Sequence, residues 1–245
     1  MPERSFRGTP EHVGLAFEDI FPVASDSVRL HGWHMPGGGA EDVVWLIFHG
    51  NGGNISVRLD QYAEIHRRYD ASIFAIDYRG YGRSDGEPSE DGFYADAVAA
   101  YELVRELHPG KKIVVFGRSM GGAVAAQLAT VTSPTVLILE ATLSSILDVT
   151  RDQAPWTRYL PVGLLLRSRF DTKGYVSRSS VPKLIFHGDS DRTVPHTSSE
   201  RIFAAARPPK QLHLIPGGDH DGLDLVDPDG YHGIVRKFLI EHGAL

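Results

Sequence analysis

Three side chains able to carry acyl-transfer chemistry lie far apart in the chain, each placed after a run of apolar residues. Ser119 sits in Gly117-Arg118-Ser119-Met120-Gly121, between the apolar run Ile113–Phe116 and the small-residue stretch Gly121-Gly122-Ala123-Val124-Ala125-Ala126. A strand that feeds a helix through a G-x-S-x-G sequence must turn tightly, and glycine at 117 and 121 removes the Cβ atoms that would collide there. Ser119 is thereby pushed into the open at a helix N-terminus, where free backbone N–H groups face any developing negative charge. A serine hydroxyl is a poor nucleophile at neutral pH, so a base must reach it and an acid must orient that base.

Of the 12 histidines, His220 is the expected base, because it lies in the loop Pro216-Gly217-Gly218-Asp219-His220-Asp221-Gly222 directly after the run Gln211–Ile215. His213 falls inside a strand and reads as packed; His232 falls inside a helix and reads as a surface residue. His31 and His34, three apart on an early strand, point to opposite faces, which argues against a metal pair. No metal site and no cofactor is expected. For the acid, Asp189 and Asp191 in His187-Gly188-Asp189-Ser190-Asp191-Arg192-Thr193-Val194-Pro195 both qualify by position, as does Glu140 after the run Thr135–Leu139. Asp189 is nearer the strand end and could simply order the turn. Asp191 lies further along, where the loop can bend back toward His220.

The tetrahedral oxyanion of such a reaction needs two donors. Met120 N–H supplies one by its place after the serine. The other is expected from the loop His49-Gly50-Asn51-Gly52-Gly53-Asn54, with Asn51 N–H as donor and Gly50 letting the backbone approach a substrate oxygen. No Gly-Lys-Ser/Thr follows, so this is not a phosphate-cradling loop.

The elements that must position these groups alternate along the chain. Val43–Phe48, Ser72–Ile76, Ile113–Phe116, Thr135–Leu139, Lys183–Phe186 and Gln211–Ile215 are mostly continuous apolar runs, as expected of strands buried on both faces of a parallel sheet. Between them lie helical periods: Ile55, Leu59, Tyr62 and Tyr69 on one face, then Phe93, Ala97, Ala100, Tyr101, Val104 and Leu107 on another, with Ser89 as N-cap. A last helix spans about Tyr231–His242. Leu15–Ala24 and Val28–Met35 read as a leading antiparallel pair turned at Ser25-Asp26-Ser27. The pattern predicts an α/β fold in one domain over 1–245: a mostly parallel sheet of about eight strands with helices on both faces.

One interval breaks the rhythm. Residues 142–181 are far longer than an ordinary connection and predict a small helical lid over the strand ends, with Trp156, Tyr159 and Leu164 lining a substrate pocket. Its apolar run Leu160–Leu166, interrupted by Pro and Gly, makes a poor interfacial helix, so no membrane role is expected of it.

Composition narrows the function classes. The 245 residues carry 25 Lys plus Arg against 31 Asp plus Glu, a net charge of −6 without a concentrated basic patch, which excludes a nucleic-acid binder. Apolar and charged fractions of 42% and 23% are those of a globular domain rather than of a disordered chain or a coiled coil. The absence of cysteine removes thiolate nucleophiles, disulfides and cysteine-ligated zinc, and suits a reducing compartment. Met1–Glu18 has no apolar core of a signal peptide, and no stretch approaches the ~20 residues of a spanning helix. The expectation is a soluble cytoplasmic protein acting on a small molecule.

His49–Asn54, then Asp77-Tyr78-Arg79-Gly80-Tyr81-Gly82-Arg83-Ser84, Gly117–Gly121, His187–Pro195 and Gly217–His220 together resemble the α/β-hydrolase superfamily over about 17–239. In that family the serine turn is the nucleophile elbow, and the order Ser119…Asp191…His220 is the family's order. The Asp-Tyr-Arg-Gly-Tyr-Gly stretch, with Pro88-Ser89-Glu90 after it, resembles small serine esterases and thioesterases that include protein depalmitoylases. The resemblance implies that Asp191 is the acid, through a His-Gly-x-x-Asp-x-x-Val-Pro pattern, and that the second oxyanion donor lies near Asn51. It implies a cofactor-independent serine hydrolase: a carboxylesterase on short or medium acyl chains first, an acyl-thioesterase second, a peptidase third. The rival from another class is a non-catalytic binding protein of the same fold, which would be expected to lack one of the three groups.

Overall fold

Eight strands form one sheet in a computed structural model that describes residues 2–38 and 42–245, the side chain of Leu164 excepted. In chain order they are β1 (Glu18–Ile20), β2 (His31–Met35), β3 (Val43–Phe48), β4 (Ser72–Asp77), β5 (Lys112–Arg118), β6 (Val136–Glu140), β7 (Lys183–Gly188) and β8 (Lys210–Ile215). Their spatial order is β1-β2-β4-β3-β5-β6-β7-β8, with β2 antiparallel to both neighbours and every pair from β4 onward parallel. The leading pair is shorter than its apolar pattern predicts. Pro22 has no N–H for a ladder, and the chain turns instead through Ser27 at a φ of 66° and a bridge between Val23 and Arg29.

Helices cover both faces: α1 (Leu59–Tyr69), α2 (Glu90–Leu107), α3 (Met120–Val131), α4 (Ile146–Gln153), α5 (Thr172–Val176), α6 (Thr197–Ala205), α7 (Leu223–Val226) and α8 (Pro228–Glu241). Because successive side chains on a strand point to opposite faces, Leu46 and Phe48 of β3 pack with Ala97 and Val104 of α2 and Ala123 of α3. Trp45 and Ile47 of the same strand pack with Tyr62 and Ile65 of α1 and Val235 and Phe238 of α8 on the other side. The central strands are thus buried on both faces, which is why they read as continuous apolar runs. Ser89 does cap α2, its hydroxyl accepting from Gly92 N–H.

His232 corrects the sequence reading: it is buried, not on the surface, and its Nδ1 lies 2.9 Å from the Tyr69 hydroxyl. It stands three residues before Val235 on the face of α8 that meets the sheet. Burial, reinforced by nearby Arg68, pulls its pKa down from 6.5 to about 4. A histidine kept neutral in the fold but free to protonate when unfolded contributes stability above about pH 6.5, lost progressively as pH falls toward 4. At 1.36 kcal/mol per unit this loss reaches about 3 kcal/mol. Urea titrations of His232→Gln, which has no ring nitrogen to protonate, are expected to show a shallower decline than wild type over that interval; an unchanged slope would refute the assignment.

Residues 142–181 contain α4, two 3-10 turns at Pro155–Tyr159 and Val162–Leu164, and α5. Their ends are tied down: Glu90 accepts from the Arg169 and Phe170 amides, and Asp152 pairs with Arg201 of α6. Among the described residues no helix is long and apolar enough to cross a membrane.

Candidate active site

β5 ends at Arg118 and α3 begins at Met120, which leaves Ser119 alone in the corner. Its φ of 53° and ψ of −120° lie outside the regions open to ordinary residues. Ser119 N–H donates to Glu140 O at 2.9 Å, and Gly122 N–H donates to Ser119 O at 3.0 Å. Such strain costs about 1–3 kcal/mol and persists only where the surroundings over-determine it. The two glycines of the turn are required by close approach: a Cβ at Gly121 would strike the Phe48 carbonyl, and one at Gly117 the Gly121 carbonyl.

The structure brings the three widely spaced groups together. Ser119 Oγ lies 3.1 Å from His220 Nε2, and His220 Nδ1 lies 2.7 Å from Asp191 Oδ2. A carboxylate at Nδ1 fixes the tautomer: Nδ1–H donates to Asp191, and Nε2 is left to accept the serine proton. Asp191 Oδ1 accepts from the Thr193 and Val194 amides, each at 2.8 Å. Burial alone would raise this carboxyl, but hydrogen bonds from His187, His220 and Val194 outweigh it and hold Asp191 well below the usual carboxylate range. Of the other acid candidates, exposed Asp189 accepts from Gly217 N–H at 2.8 Å and orders the turn. Glu140 is buried, with burial pushing its pKa up, and accepts from the Tyr231 hydroxyl at 2.7 Å.

Gly50 lies directly over the serine, where a Cβ would come within 3.3 Å of Ser119 Cβ. The loop that follows is held from behind. The Tyr78 hydroxyl donates to His49 O at 3.0 Å, and the Tyr81 hydroxyl donates to Asn51 Oδ1 at 2.8 Å. Below it, buried Asp77 accepts from Ile55 N–H at 2.9 Å and faces His49 Nε2 at 3.4 Å. Against the opposing effect of burial, His31 and His49 keep the Asp77 carboxyl lowered. Ser119 thus has the Met120 amide at the first turn of α3 next to it in the chain and Gly50, which Asn51 follows, packed against it.

A family model described as serine aminopeptidase, S33, matches residues 39–173. An uncharacterized protein of Mycobacterium tuberculosis is 36% identical over 235 residues, spanning 94% of this chain and 82% of that one. The chain belongs to the α/β-hydrolase superfamily. The α/β-hydrolase domain-containing protein WAV2 of Arabidopsis thaliana is 34% identical, over 96% of this chain and 82% of that one. Among solved structures, an esterase of Pyrococcus furiosus superposes with a TM-score of 0.81 over 98% of this chain and 97% of its own, at 18% identity. Est1E of Butyrivibrio proteoclasticus with bound ferulic acid superposes at 0.72, over 92% and 100%, at 20% identity.

Several residues that hold this α/β-hydrolase site escaped the sequence reading. His187 Nε2 lies 3.2 Å from Asp191 Oδ2 and 2.9 Å from Val194 O, so it is a donor there, while Nδ1 faces the Ser199 hydroxyl at 2.5 Å. Arg118, the variable position of the elbow, turns away from the serine and donates to the His220 carbonyl at 2.6 Å, while also pairing with Asp221. The loop bearing His220 is thus gripped by the residue next to Ser119. A cleft of about 620 Å³ lies behind that grip, lined by Arg58, Arg118, Glu140, Asp221, Asp224 and Leu225 among others. Neither Ser119 nor His220 lines it, so it is separate from the cluster of Ser119, His220 and Asp191.

The residues expected to line a substrate pocket fare differently. Gly50 is at the site. Trp156 and Tyr159 are 65% and 91% exposed, which turns their rings to solvent rather than over the strand ends. Leu164 ends a 3-10 turn, and its side chain lies outside the described residues. The segment does reach the site from α4, where Gln153 Nε2 donates to Thr193 O at 2.8 Å, beside the amide that binds Asp191.

Proposed function

We propose that this α/β-hydrolase is a cofactor-independent carboxylesterase acting on short or medium acyl chains. The carrying observation is the unbroken contact from Ser119 Oγ through His220 to Asp191, at 3.1 and 2.7 Å, converging from three separate loops. Ser119 attacks the ester carbonyl as His220 Nε2 takes its proton. The Met120 and Asn51 amides hold the oxyanion, each worth about 2.7–4 kcal/mol. His220 then returns the proton to the departing alkoxide, and Asp191 stabilises the imidazolium throughout. Water, deprotonated by the same histidine, attacks the acyl-enzyme, releases the acid and restores Ser119. Residues 142–181 act as a lid at the rim.

Ester cleavage is favoured by the fold-level likeness to a protein named as an esterase, that of Pyrococcus furiosus. The description of the matched family as serine aminopeptidase supports a second reading, peptide hydrolysis. A fluorophosphonate probe is expected to label intact protein at Ser119, located by mass spectrometry of the digested chain. A panel of nitrophenyl esters from acetate to laurate, acyl-CoA thioesters and aminoacyl nitroanilides is expected to give the highest kcat/KM on the shorter esters. Absence of labelling would sink the serine mechanism. Preference for thioesters or nitroanilides would replace the substrate class alone.

A further inference from the structure

Most large apolar side chains of this protein are buried, but four of the exposed ones fall within ten consecutive positions. Trp156, Tyr159, Leu160 and Leu165 are 65%, 91%, 47% and 79% exposed. Trp156 and Tyr159 lie on the first 3-10 turn, and Leu160 and Leu165 each directly follow one of the two turns, so the poor helical pattern of Leu160–Leu166 does not prevent their common exposure. Exposed apolar clusters on a soluble domain mark contact surfaces.

The charge of the same stretch points to the kind of contact. Ala154–Phe170 contains Arg158, Arg167 and Arg169 and no Asp or Glu, in a chain whose net charge is −6. The three arginines are exposed. The nearest carboxylate to Arg158 is that of Asp152, 3.9 Å away and already held by Arg201. At the other end of the stretch the Glu90 carboxylate is engaged by the Arg169 and Phe170 amides. A tryptophan and a tyrosine beside aliphatic side chains, in a stretch whose only charged side chains are arginines, match the boundary of an anionic bilayer. There the aromatic rings sit at headgroup depth and each cation is attracted by the surface potential.

We infer that residues 154–170 dock reversibly on anionic lipid membranes. The two turns insert Trp156, Tyr159, Leu160 and Leu165 at the interface, and the arginines face lipid phosphates. Docking does not depend on the esterase reading. Its consequence does: Gln153 links the segment to the loop of the catalytic acid, so a hydrolase docked here meets acyl substrates partitioned into the membrane.

The full-length protein provides its own reporter. Trp33 and Trp45 are fully buried, so a change of tryptophan emission on adding vesicles reports Trp156. Phosphatidylcholine vesicles containing phosphatidylglycerol are expected to shift the emission to the blue and to co-sediment the protein. Their partition coefficient should be at least tenfold that of pure phosphatidylcholine, and high salt should abolish the difference. Tyr159→Ser with Leu165→Ser, and separately Arg158→Glu with Arg167→Glu, should each lower that partitioning about tenfold while circular dichroism and melting temperature stay as in wild type. No emission shift with anionic vesicles overturns the proposal, as does undiminished binding by either double variant. A concentration-dependent dimer without lipid, broken by the same substitutions, would show a second copy as the occupant and overturn it equally. Because vesicle binding is read without turnover, its failure is distinct from failure of the esterase assay.

Discussion

Ser119→Ala is expected to lower kcat for ester hydrolysis by a factor on the order of 10⁶, leaving only what binding and the oxyanion donors contribute. Alanine keeps the Cβ and removes only the oxygen that lies 3.1 Å from His220 Nε2. His220 and Asp191 keep their own hydrogen bond at 2.7 Å, so the loss isolates the nucleophile rather than a collapsed site. A companion variant tests the strain. At a φ of 53° and ψ of −120°, glycine is relieved of the side-chain conflict that serine and alanine share. Ser119→Gly is therefore expected to be equally inactive yet more stable than Ser119→Ala by about 1 kcal/mol, read from denaturant midpoints. Turnover by the alanine variant at more than a few per cent of wild type would remove Ser119 from the mechanism. A glycine variant no more stable than alanine would remove the strain argument alone.

What the sequence made legible follows from where burial is two-sided. β3 to β7 are sealed on both faces, so nearly every residue of Val43–Phe48 or Val136–Glu140 is apolar and the strands stand out without an alignment. The elbow was equally legible, because a glycine at 117 and at 121 is dictated by backbone-to-backbone contact. His232 was misread because a polar side chain on a helix reads as solvated, whereas it lies three residues before Val235 and is buried with Val235, Phe238 and Leu239. The segment 142–181 misled for the opposite reason. The rule that apolar residues go inside has no purchase on Trp156, Tyr159 and Leu165, which the fold leaves exposed.

The supports of the site were invisible for a topological reason. Asp77 and Tyr78 brace the loop after β3 because β4 lies beside β3 in the sheet, an adjacency that no local pattern announces. Arg118 grips the His220 carbonyl across a hundred residues of sequence. A polar side chain flanking a nucleophile reads as solvated until the strand order is known. The group in His187–Pro195 was different. Its first and fifth positions lie four residues apart around one turn, so a donor from His187 to Asp191 is a local contact that the spacing itself allowed.

That contact sets the second large effect. Asp191→Asn is expected to lower kcat about 10⁴-fold with little change in KM, because it attacks the tautomer of His220 and not substrate binding. The carboxylate has four donors around it: the Thr193 and Val194 amides at Oδ1, and His187 Nε2–H and His220 Nδ1–H at Oδ2. An asparagine amide cannot satisfy both sides. With its oxygen toward Thr193 and Val194, its NH2 faces His220 and forces Nδ1 to accept, which moves the ring proton to Nε2 and blocks uptake of the serine proton. With its oxygen toward the histidines, its NH2 opposes two backbone amides and the loop must open. The first arrangement costs fewer bonds, since His187 still donates to Val194 O at 2.9 Å. Steady-state kinetics together with the rate of fluorophosphonate labelling, which needs the same proton transfer, should fall in parallel. The variant should also lose the dependence of stability on ionising this carboxyl. Wild type owes Asp191 stability that is present above the ordinary carboxylate pKa and lost in acid, since its folded pKa is lowered. An Asp191→Asn enzyme with near wild-type kcat would exclude Asp191 as the orienting acid.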